Sequence, residues 1–560
     1  MSPVIFIGNV WNLKMIRFFH TVKQLRLIQW VYRLKYIVIK PRYKKMTALP
    51  RRVVKKAPIF FLTKKNAYQD CNYYRFLNVS RDIAPSTIWQ DKSAGLLWLY
   101  HLHYFDDLHA QAYPGKGVRD AALMTRWIDE NPCGYGVGFA PYPLSLRIVN
   151  WIKWGLKGNT LTDMMLNSLC EQTALLSRRI EYHLLGNHVM ANAKALIFSG
   201  LFFEKNTWAS QGMTLFLREI QEQVLEHGAH FELSPLYHAI ILEDMLDVIM
   251  LCRLYDYPTP VVICDAIQPM LHWLSLMTHP DGSLAHFNDT AQGISATLAE
   301  LTHYTNTLLP YLPPLQEGVV TGAACDGGIW WAHTFLHLQK GVVTGVQPYL
   351  RFEHGPVTLI ADCADVQASY QPGHTHADTL SFELSLEKQR IFVNAGTSTY
   401  EPTLLRLYER STCAHNTVSV NNGNSSDVWH NFRLGKRAVI TERTDNSATL
   451  LECFGKIQHK RCFDLRENRL IITDTLLGRG EHLINQFFNL MPGLVHTPLD
   501  THCFDIQNLV KIAYDSKTLI HVRTAEYAPE FGQKQVCQKI ITELRATLPI
   551  ILTTTITWAL

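Results

Sequence analysis

The chain has 560 residues, of which 47% are hydrophobic and 18% are charged. This composition is typical of a well-packed globular protein and excludes wholesale disorder, and the length predicts two or more domains. The twelve cysteines are scattered singly without a CxxC pair, which indicates reduced, mostly buried thiols and not a disulfide framework.

Basic residues are concentrated at the N-terminus. Residues 1–69 hold sixteen Lys and Arg and no Asp or Glu, and taking them from the totals of 53 and 48 leaves 37 basic and 48 acidic residues. The rest of the chain therefore has a net charge of −11, although the whole chain has +5. Such a body is a poor global match for a densely sulfated polyanion, whereas a local pocket can still bind a sparsely charged acidic glycan.

This basic segment, residues 1–69, begins with the apolar stretch MSPVIFIGNVW, which has no basic region before it and no small-x-small cleavage site after it. It continues in MIRFFHTVKQLRLIQWVYRLKYIVIK, which is basic and amphipathic but lacks an uncharged run of about 18 residues. We therefore predict a basic helix that packs on the body or on a membrane surface, with no clear signal peptide, no transmembrane helix and no nucleic-acid motif. This pattern fits a cell-envelope or periplasmic protein as well as a cytoplasmic one.

Residues 117–310 follow a helical pattern, because apolar residues recur at i, i+3, i+4 and i+7 and short loops separate the runs. The predicted helices include SLRIVNWIKWGL, LTDMMLNSLCEQTALLSRRIEYHLL, MANAKALIFSGLFF, TLFLREIQEQVLEH, HAIILEDMLDVIMLCRLY and AIQPMLHWLSLMTH. Consecutive helices with short loops pack antiparallel, so residues 70–315 are predicted to form a helical domain.

The pattern changes at LPYLPPLQEG, near residue 315. Beyond it, short alternating segments with turn signals about every 8–12 residues predict a large antiparallel β-sandwich over residues 316–560. Such segments are LRFEHGPVTLIAD, LSFELSLEKQRIFVNAG, NTVSVNNG, NRLIITDTLL, HLINQFFNL and KTLIHVR. The predicted fold class is therefore α+β and multidomain, with helices first and strands second.

Polar side chains collect at three junctions in this pattern, namely Asn187 with His188, Glu232 with Tyr237, and His374 with His376. The first pair follows Gly186, which can end one helix and leave the pair at the start of the next. Each pair alone also fits a structural interpretation: an N-cap Asn beside a hydrogen-bonded His, a packing Tyr with a hydrogen-bonded tip, or a turn histidine.

Five stretches occur in order along the chain: LLGNHVMANAKALIFSGLFF, FELSPLYHAIILEDMLD, HPDGSLAHFND, GHTHADTLSFEL and RSTCAHNTVSVNN. Together they resemble the heparinase II/III family of polysaccharide lyases, which includes relatives acting on alginate. The resemblance spans roughly residues 90–490. It implies an N-terminal (α/α) toroid followed by a C-terminal antiparallel β-sandwich, in agreement with the pattern above. It also implies β-elimination on a uronate-containing acidic polysaccharide, with removal of the C5 proton and departure of the oxygen at C4.

The resemblance implies a role for each matching residue. Asn187 would donate to the substrate carboxylate, and His188 would neutralise that carboxylate or act as a base, since the C5 proton is otherwise too weakly acidic. Tyr237 would give a proton to the leaving oxygen and could also take the C5 proton. His374 would be the catalytic histidine on the sandwich side.

Two further side chains are predicted to contact substrate, Arg147 in PYPLSLRIVN and Glu232 in FELSPLY. A structural ion pair is the alternative for Arg147. Ala191 departs from relatives that carry Glu within NHxxEN, where Glu would orient the histidine or contact substrate. This departure indicates that the histidine is oriented differently or that the substrate specificity differs from those relatives.

The resemblance also implies a structural Zn²⁺ in the sandwich, held by two histidines and an aspartate. His376 and His415 match the histidines, but Asn394 stands at the aspartate position, and a neutral amide oxygen is a poorer zinc ligand than a carboxylate. A hydrogen-bonded cluster without metal is the alternative, and Asp378 could replace the missing ligand. We expect the turn before His374 to let that residue reach Tyr237 while His376 turns into the sandwich. No organic cofactor is expected.

Two other functions compete with a lyase. A glycoside hydrolase on an (α/α) barrel would need two opposed carboxylates, for which Glu232 and Asp289 are the candidates near the motifs. A non-catalytic glycan-binding protein, or one associated with polysaccharide biosynthesis, would fit Ala191, Asn394 and the lack of a clear signal peptide.

Overall fold

The computed structural model describes residues 15–39, 45–52, 54, 58–132, 134–308, 348–451 and 456–558. The predicted domain boundary at residues 315 and 316, with the LPYLPPLQEG break, lies outside these residues. Within them, an (α/α) toroid is followed by an antiparallel sheet-rich domain, which confirms the predicted fold class. Among these residues, no helix combines the length and apolarity needed to span a membrane.

Helices dominate the described chain up to Leu308. Residues 15–22 form the helix α1, and it is followed by α2 Leu27–Val38, α3 Leu96–Tyr104, α4 Lys116–Glu130, α5 Pro141–Leu156, α6 Asp163–Leu176, α7 Asn187–Phe202, α8 Asn206–Gln223, α9 Pro235–Leu254, α10 Val261–Leu276 and α11 Leu298–Leu308. A small antiparallel sheet that the sequence did not predict precedes α3, formed by β1 Tyr68–Asp70, β2 Tyr73–Phe76 and β3 Val79–Asp82.

Helix α7 is the centre of the helical domain, where it packs against α5, α8 and α9. Almost every residue along it is buried, as expected for a helix that is apolar around its whole circumference. The start of α9 is fixed by the Ser234 side chain, which accepts a hydrogen bond from the Tyr237 backbone N–H, and by Pro235 in the first turn. These two helices therefore hold Asn187, His188 and Tyr237 on rigid elements.

The predicted helix between residues 161 and 185 is shorter than expected. Helix α6 ends at Leu176, and residues 177–186 form an irregular loop, so Gly186 does not end that helix as predicted. Carbonyl groups of this loop accept hydrogen bonds from side chains of α2, among them Gln29 to the carbonyl of Leu184. A continuous helix would have used these carbonyls internally.

The second domain contains the strands β4 Tyr349–His354, β5 Val357–Asp362, β6 Phe382–Leu386, β7 Gln389–Phe392, β8 Val418–Val420, β9 Val428–Trp429, β10 Arg433–Leu434, β11 Val439–Arg443, β12 Ser447–Leu451, β13 Gln458–Arg466, β14 Arg469–Leu477, β15 Glu481–Asn489, β16 His496–Pro498, β17 Cys503–Ile506, β18 Val510–Tyr514, β19 Leu519–Tyr527, β20 Gln535–Thr547 and β21 Ile550–Trp558. One short helix, α12 Leu404–Glu409, interrupts them. All the named strand pairs are antiparallel, as predicted.

The strands form three larger sheets, ordered β11-β12-β13-β14-β21-β18-β17-β16, β19-β20-β15-β8 and β4-β5-β6-β7. Alternation along β14 buries Leu470, Ile472 and Leu476 on one face, which is the period-two pattern that predicted this strand. Their side chains contribute to the cores between the sheets. The strand ends and the loops after β5 and β7 face the helical domain and carry the remaining site residues.

Candidate active site

A cavity of about 880 Å³ lies between the two domains. The helical domain contributes Asn187, His188 and Tyr237 to its wall, and the second domain contributes His374 and Tyr400. Much of the remaining wall is aromatic, including Tyr100, Tyr104, Tyr142, Phe432 and Phe531. A concave site with an apolar wall and a few convergent polar groups has the form of a ligand-binding pocket.

Helix α7 begins with Asn187 and His188, which lie at the cavity wall. The preceding Gly186 has a φ of +57° and a ψ of −140°, a backbone conformation that residues with a side chain rarely adopt, which favours glycine there. Gln371 Nε2 donates to Asn187 Oδ1 at 3.3 Å. The His188 ring lies 4.7 Å from the Tyr142 ring, measured between centroids, and its edge is directed to the cavity.

A carboxylate that the sequence did not reveal lies behind His188. Glu181 Oε2 is 3.2 Å from His188 Nδ1, and the Glu181 side chain is buried. Asn192 fixes this loop, since its Nδ2 donates to Glu181 Oε2 at 3.2 Å and its Oδ1 accepts from the Glu181 backbone N–H at 2.9 Å. Ala191, one turn after His188, lines the cavity without a polar group. The sequence placed residue 181 within a predicted helix, so it did not indicate that Glu181 lies beside His188.

Tyr237 lies against His374 across the domain interface. Their rings stack with centroids 3.8 Å apart and an interplanar angle of 30°. The Tyr237 hydroxyl is 3.0 Å from the hydroxyl of Tyr400, which the sequence did not single out. Burial, reinforced by Tyr400 and Asp289, raises the pKa of Tyr237 well above its usual value. The side chain is therefore a protonated phenol, suited to donate a proton.

Asp289 bridges the two histidines of the GHTHADTLSFEL stretch. Its Oδ2 is 2.9 Å from His374 Nδ1, and its Oδ1 is 2.7 Å from His376 Nε2. Arg406 donates to both oxygens, at 2.5 and 2.6 Å. Burial alone would raise the pKa of Asp289, but Arg406 and the two histidines hold it well below its usual value. Asp289 is thus an ionised carboxylate that orients both imidazoles.

The predicted divergence of the two histidines is confirmed. His374 lies beside Tyr237 at the cavity, whereas His376 is buried, with its Nδ1 3.3 Å from His415 Nε2. The other ring nitrogen of each buried histidine has a fixed acceptor, Asp289 for His376 and the carbonyl of Ser411 for His415. If those nitrogens carry the protons, two lone pairs face each other.

A metal ion bound between the two nitrogens would remove the repulsion of their lone pairs. One oxygen of Asp378 joins His376 Nδ1 and His415 Nε2 in a group whose atoms all lie within 4.8 Å of one another. Two nitrogens bound to a tetrahedral zinc at about 2.0–2.1 Å would be about 3.4 Å apart, close to the spacing found here. Histidine ligands also donate their second N–H to a carboxylate or carbonyl, as both do here. These residues therefore fit Zn²⁺.

Both polar atoms of the Asn394 side chain have hydrogen-bond partners. Its Oδ1 accepts from the Asn416 backbone N–H at 3.1 Å, and its Nδ2 lies 3.4 Å from Ser381 Oγ. Asp378, four residues before β6 begins at Phe382, is the carboxylate beside the two histidines. Asp378, which the sequence offered as the replacement ligand, thus groups with His376 and His415, and a ligand role for Asn394 stays a prediction.

Arg147 is buried in the helical domain and does not line the cavity, so the structure does not support its predicted substrate contact. Its Nε donates to Gln172 Oε1 at 2.9 Å, and its guanidinium lies 3.9 Å from the centre of the Trp127 ring. The residue follows the apolar periodicity of α5, which turns it inward. Its role is structural, through a hydrogen bond and a cation–π contact.

Glu232 does not line the cavity either, so the structure does not support its predicted substrate contact. Its carboxyl group is buried, and neither oxygen has a hydrogen-bond partner among the described residues. Burial, with a smaller effect of Asp289, raises the pKa of Glu232 to about 8. A carboxyl group in this environment is protonated at neutral pH.

The protein is of the class in which an (α/α) toroid is joined to an antiparallel sandwich. Polar side chains from both domains line one cavity between them. Residues 156–314 match the heparinase II/III N-terminus, and residues 345–559 match the heparinase II/III-like C-terminal domain. The chain belongs to the heparinase II/III family.

Known relatives and solved structures agree with this placement. A heparin-sulfate lyase of Bacteroides stercoris is 25% identical over 334 residues, which are 56% of this chain and 47% of that protein. The chain spans about half the length of the curated relatives it matches. The crystal structure of heparinase III has a TM-score of 0.63 at 18% identity, covering 82% of this chain and 76% of the other. A chondroitinase AC lyase has a TM-score of 0.51 at 9% identity, with the same coverage of 82% and 76%. These structures share the fold.

Proposed function

We propose that the protein is a polysaccharide lyase that cleaves a uronate-containing acidic polysaccharide by β-elimination. The observation that carries this proposal is the meeting of Tyr237 and His374 at one cavity wall, with Asn187 and His188 beside them. An acid, a base and a pair of carboxylate-neutralising groups are the parts that elimination needs. The family membership and the names of the relatives support the same reaction.

In this mechanism, Asn187 and His188 bind the carboxylate attached to C5. The amide of Asn187 donates to it, and His188 offers a ring N–H, with the Glu181 carboxylate beside its Nδ1. Neutralising the carboxylate stabilises the enolate that forms when the C5 proton leaves, because the developing negative charge moves onto the carboxylate oxygens.

His374 and Tyr237, whose rings stack, carry out the two proton transfers. His374 Nδ1 is held by Asp289, so Nε2 is the nitrogen that can take the C5 proton. The electron pair of the C5–H bond then forms the C4–C5 double bond, and the bond from C4 to the glycosidic oxygen breaks. Tyr237, a protonated phenol, gives its proton to that oxygen. Proton exchange with solvent returns both side chains to their starting states.

The charge of the cavity indicates a sparsely charged substrate. The lysines that line the cavity are paired with acids, namely Lys64 with Glu243, Lys153 with Asp247 and Lys194 with Asp244. Of the arginines in its wall, Arg33 donates to the carbonyl of His183 and Arg433 lies over the Trp429 ring. Paired cations offer little to sulfate groups, which favour unpaired Arg and Lys. The rest of the chain outside residues 1–69 is also net negative. We therefore propose a uronate polymer with few sulfates.

We further propose that His376, Asp378 and His415 hold a structural Zn²⁺, which would brace the sandwich behind His374. The ion supplies cross-linking of these three ligands and no step of the reaction. Elemental analysis of the purified protein should find stoichiometric zinc that is lost in His415→Ala. A chelator should lower the melting temperature of the wild type and leave that of His415→Ala unchanged. Equal responses of the two proteins would remove zinc from the proposal.

The competing hydrolase fits this cavity less well. Asp289 is held by Arg406 and two histidines, and Glu232 does not line the cavity, so the two opposed carboxylates that hydrolysis needs are not provided by these candidates.

The test is incubation with a panel of uronate polymers of graded sulfation, with Tyr237→Phe as the matched control. A lyase raises the ultraviolet absorbance of the unsaturated uronate product in the wild type only. New reducing ends without that absorbance would establish a hydrolase. Binding to a polymer without either signal would establish a binding protein.

A further inference from the structure

The N-terminal helices α1 and α2 lie across the cavity and contact both domains. From α1, Thr21 Oγ1 donates to the carbonyl of Leu434 at 2.9 Å. From α2, Gln29 Nε2 donates to the carbonyls of Leu184 and Tyr370, at 3.3 and 3.4 Å. Side chains of both helices line the cavity, among them Phe18, Val22, Gln29, Trp30 and Arg33. The helices are therefore part of the folded body.

The polarity of α2 is inverted relative to an ordinary surface helix. The side that packs on the body carries Gln29, which is 1% exposed, and the half-buried Tyr32 and Tyr36. The Tyr36 hydroxyl donates to the carbonyl of Ile180, and the Tyr32 ring packs on Tyr182. A helix on a water-exposed surface normally turns its apolar side inward and its polar side outward.

The outward side of α2 is aliphatic. Leu27 is 79% exposed, Leu34 63% and Val38 79%, and with Val31 and Ile37 they form what we call the outer stripe. These positions follow the three-, four- and seven-residue spacing that places side chains on one face of a helix. From α1, the exposed side chains of Met15, Ile16 and Phe19 add to this apolar surface. A contiguous apolar surface of this kind marks a docking site.

The charge around the outer stripe indicates whether it binds a second copy of the chain or a lipid surface. Exposed Lys23 and Lys35 flank it, whereas Arg26 is paired with Glu222 on the body. Residues 1–69 contain sixteen Lys and Arg without one acid. Two copies of the chain packed stripe to stripe would bring these basic segments together, and like charges would repel. Anionic lipid headgroups would neutralise them while the acyl region takes up the aliphatic side chains.

We propose that the outer stripe docks the protein in the plane of an anionic lipid bilayer. Trp30, 41% exposed beside the stripe, is the residue type that favours the headgroup region. Because the inner sides of α1 and α2 line the cavity, docking holds the cavity close to the bilayer surface. This proposal stands on the helix surface alone and does not depend on the reaction.

The test is flotation of the full chain with vesicles of phosphatidylcholine, with and without phosphatidylglycerol, at low and high salt. We expect binding to the anionic vesicles, weakened by salt, and little binding to the neutral ones. The double variant Leu34→Glu/Val38→Glu should reduce the bound-to-free ratio by at least about tenfold, since it places two charges in the apolar layer. Val495→Glu, at a residue 57% exposed on the sandwich, is the matched control and should bind like the wild type.

Melting temperatures of the variants check that the fold is retained. Should the double variant unfold, Lys23→Glu/Lys35→Glu tests the same surface through its charge and should also release the vesicles. Failure of the wild type to bind anionic vesicles would overturn the proposal, as would wild-type binding by the double variant. A dimer that Leu34→Glu/Val38→Glu dissociates, without vesicle binding, would assign the outer stripe to a second copy instead.

Discussion

Glu181 Oε2 lies 3.2 Å from His188 Nδ1, at the start of the helix whose residue 191 is alanine. The carboxylate comes from the loop before α7, and Asn192 anchors it through two hydrogen bonds. A carboxylate thus lies within ion-pair distance of the histidine, without the alignment of a hydrogen bond, although Ala191 lacks the Glu of the NHxxEN pattern. The departure at residue 191 is offset by a residue ten positions earlier.

Replacing Glu181 should therefore weaken catalysis through His188. We expect Glu181→Gln to lower kcat on a cleaved polymer by about 10–100-fold, because partners that orient a functional histidine carry effects of this size. Adding Ala191→Glu should recover part of the activity, since a carboxylate one helical turn from His188 can reach the same ring. Steady-state kinetics of the single and double variants measure this. Full activity of Glu181→Gln, or no recovery in the double variant, would contradict the pairing.

Tyr237→Phe should abolish most turnover while the protein remains folded. The phenol is the proposed proton donor, and losing a general acid lowers the rate by about 10²–10⁴-fold. Tyr400→Phe is the matched control, because it removes the hydroxyl 3.0 Å from that of Tyr237 but leaves the donor itself. Its effect on kcat should be smaller than that of Tyr237→Phe. The reverse order would transfer the acid role to Tyr400.

Substitutions of the two histidines of GHTH should have different effects, with His374→Ala lowering mainly activity and His376→Ala lowering mainly stability. His374→Ala should lower activity at least about 100-fold with a loss of stability of about 1 kcal/mol, since one hydrogen bond to Asp289 disappears. His376→Ala should lower the free energy of unfolding by about 1–3 kcal/mol through lost hydrogen bonds, and by more if zinc is bound. Denaturant unfolding and activity assays on both variants give the comparison. A stable but inactive His376→Ala protein would reverse these assignments.

Glu232 should make the folded state less stable as the pH rises. Its pKa is about 8 in the folded protein against an ordinary value of 4.5, which the unfolded chain retains. Between these pH values the unfolded state releases a proton that the folded state keeps, so stability falls from about pH 4.5 to about pH 8 and then levels off. Glu232→Gln cannot ionise, so its free energy of unfolding relative to the wild type should rise by about 2–4 kcal/mol over that interval.

Denaturant unfolding of the wild type and Glu232→Gln at several pH values tests this dependence. Glu467→Gln, at an exposed turn, serves as the control and should follow the wild type throughout. A pH-independent difference between Glu232→Gln and the wild type would show that the Glu232 carboxyl is ionised in the folded state.

Local periodicity alone predicted most of the secondary structure. Long apolar runs predict the buried helices α7 and α9, and the alternation of Leu470 and Ile472 defines a strand with one buried face. These patterns are readable because a helix or strand repeats its orientation every few residues. The polar motifs likewise identified Asn187, His188, Tyr237 and His374 before any of them was placed in space.

Tertiary structure decided which side chains meet. Asp289 reaches His374 and Arg406 from far along the chain, and Glu181 reaches His188 from a loop that periodicity assigned to a helix. Arg147 looked available for substrate but packs inward on Trp127. The sequence by itself determined the order of elements and the residue types at the site, because those depend on neighbours along the chain. The partners of each charged group depend on how distant segments pack, and only the folded structure supplies that geometry.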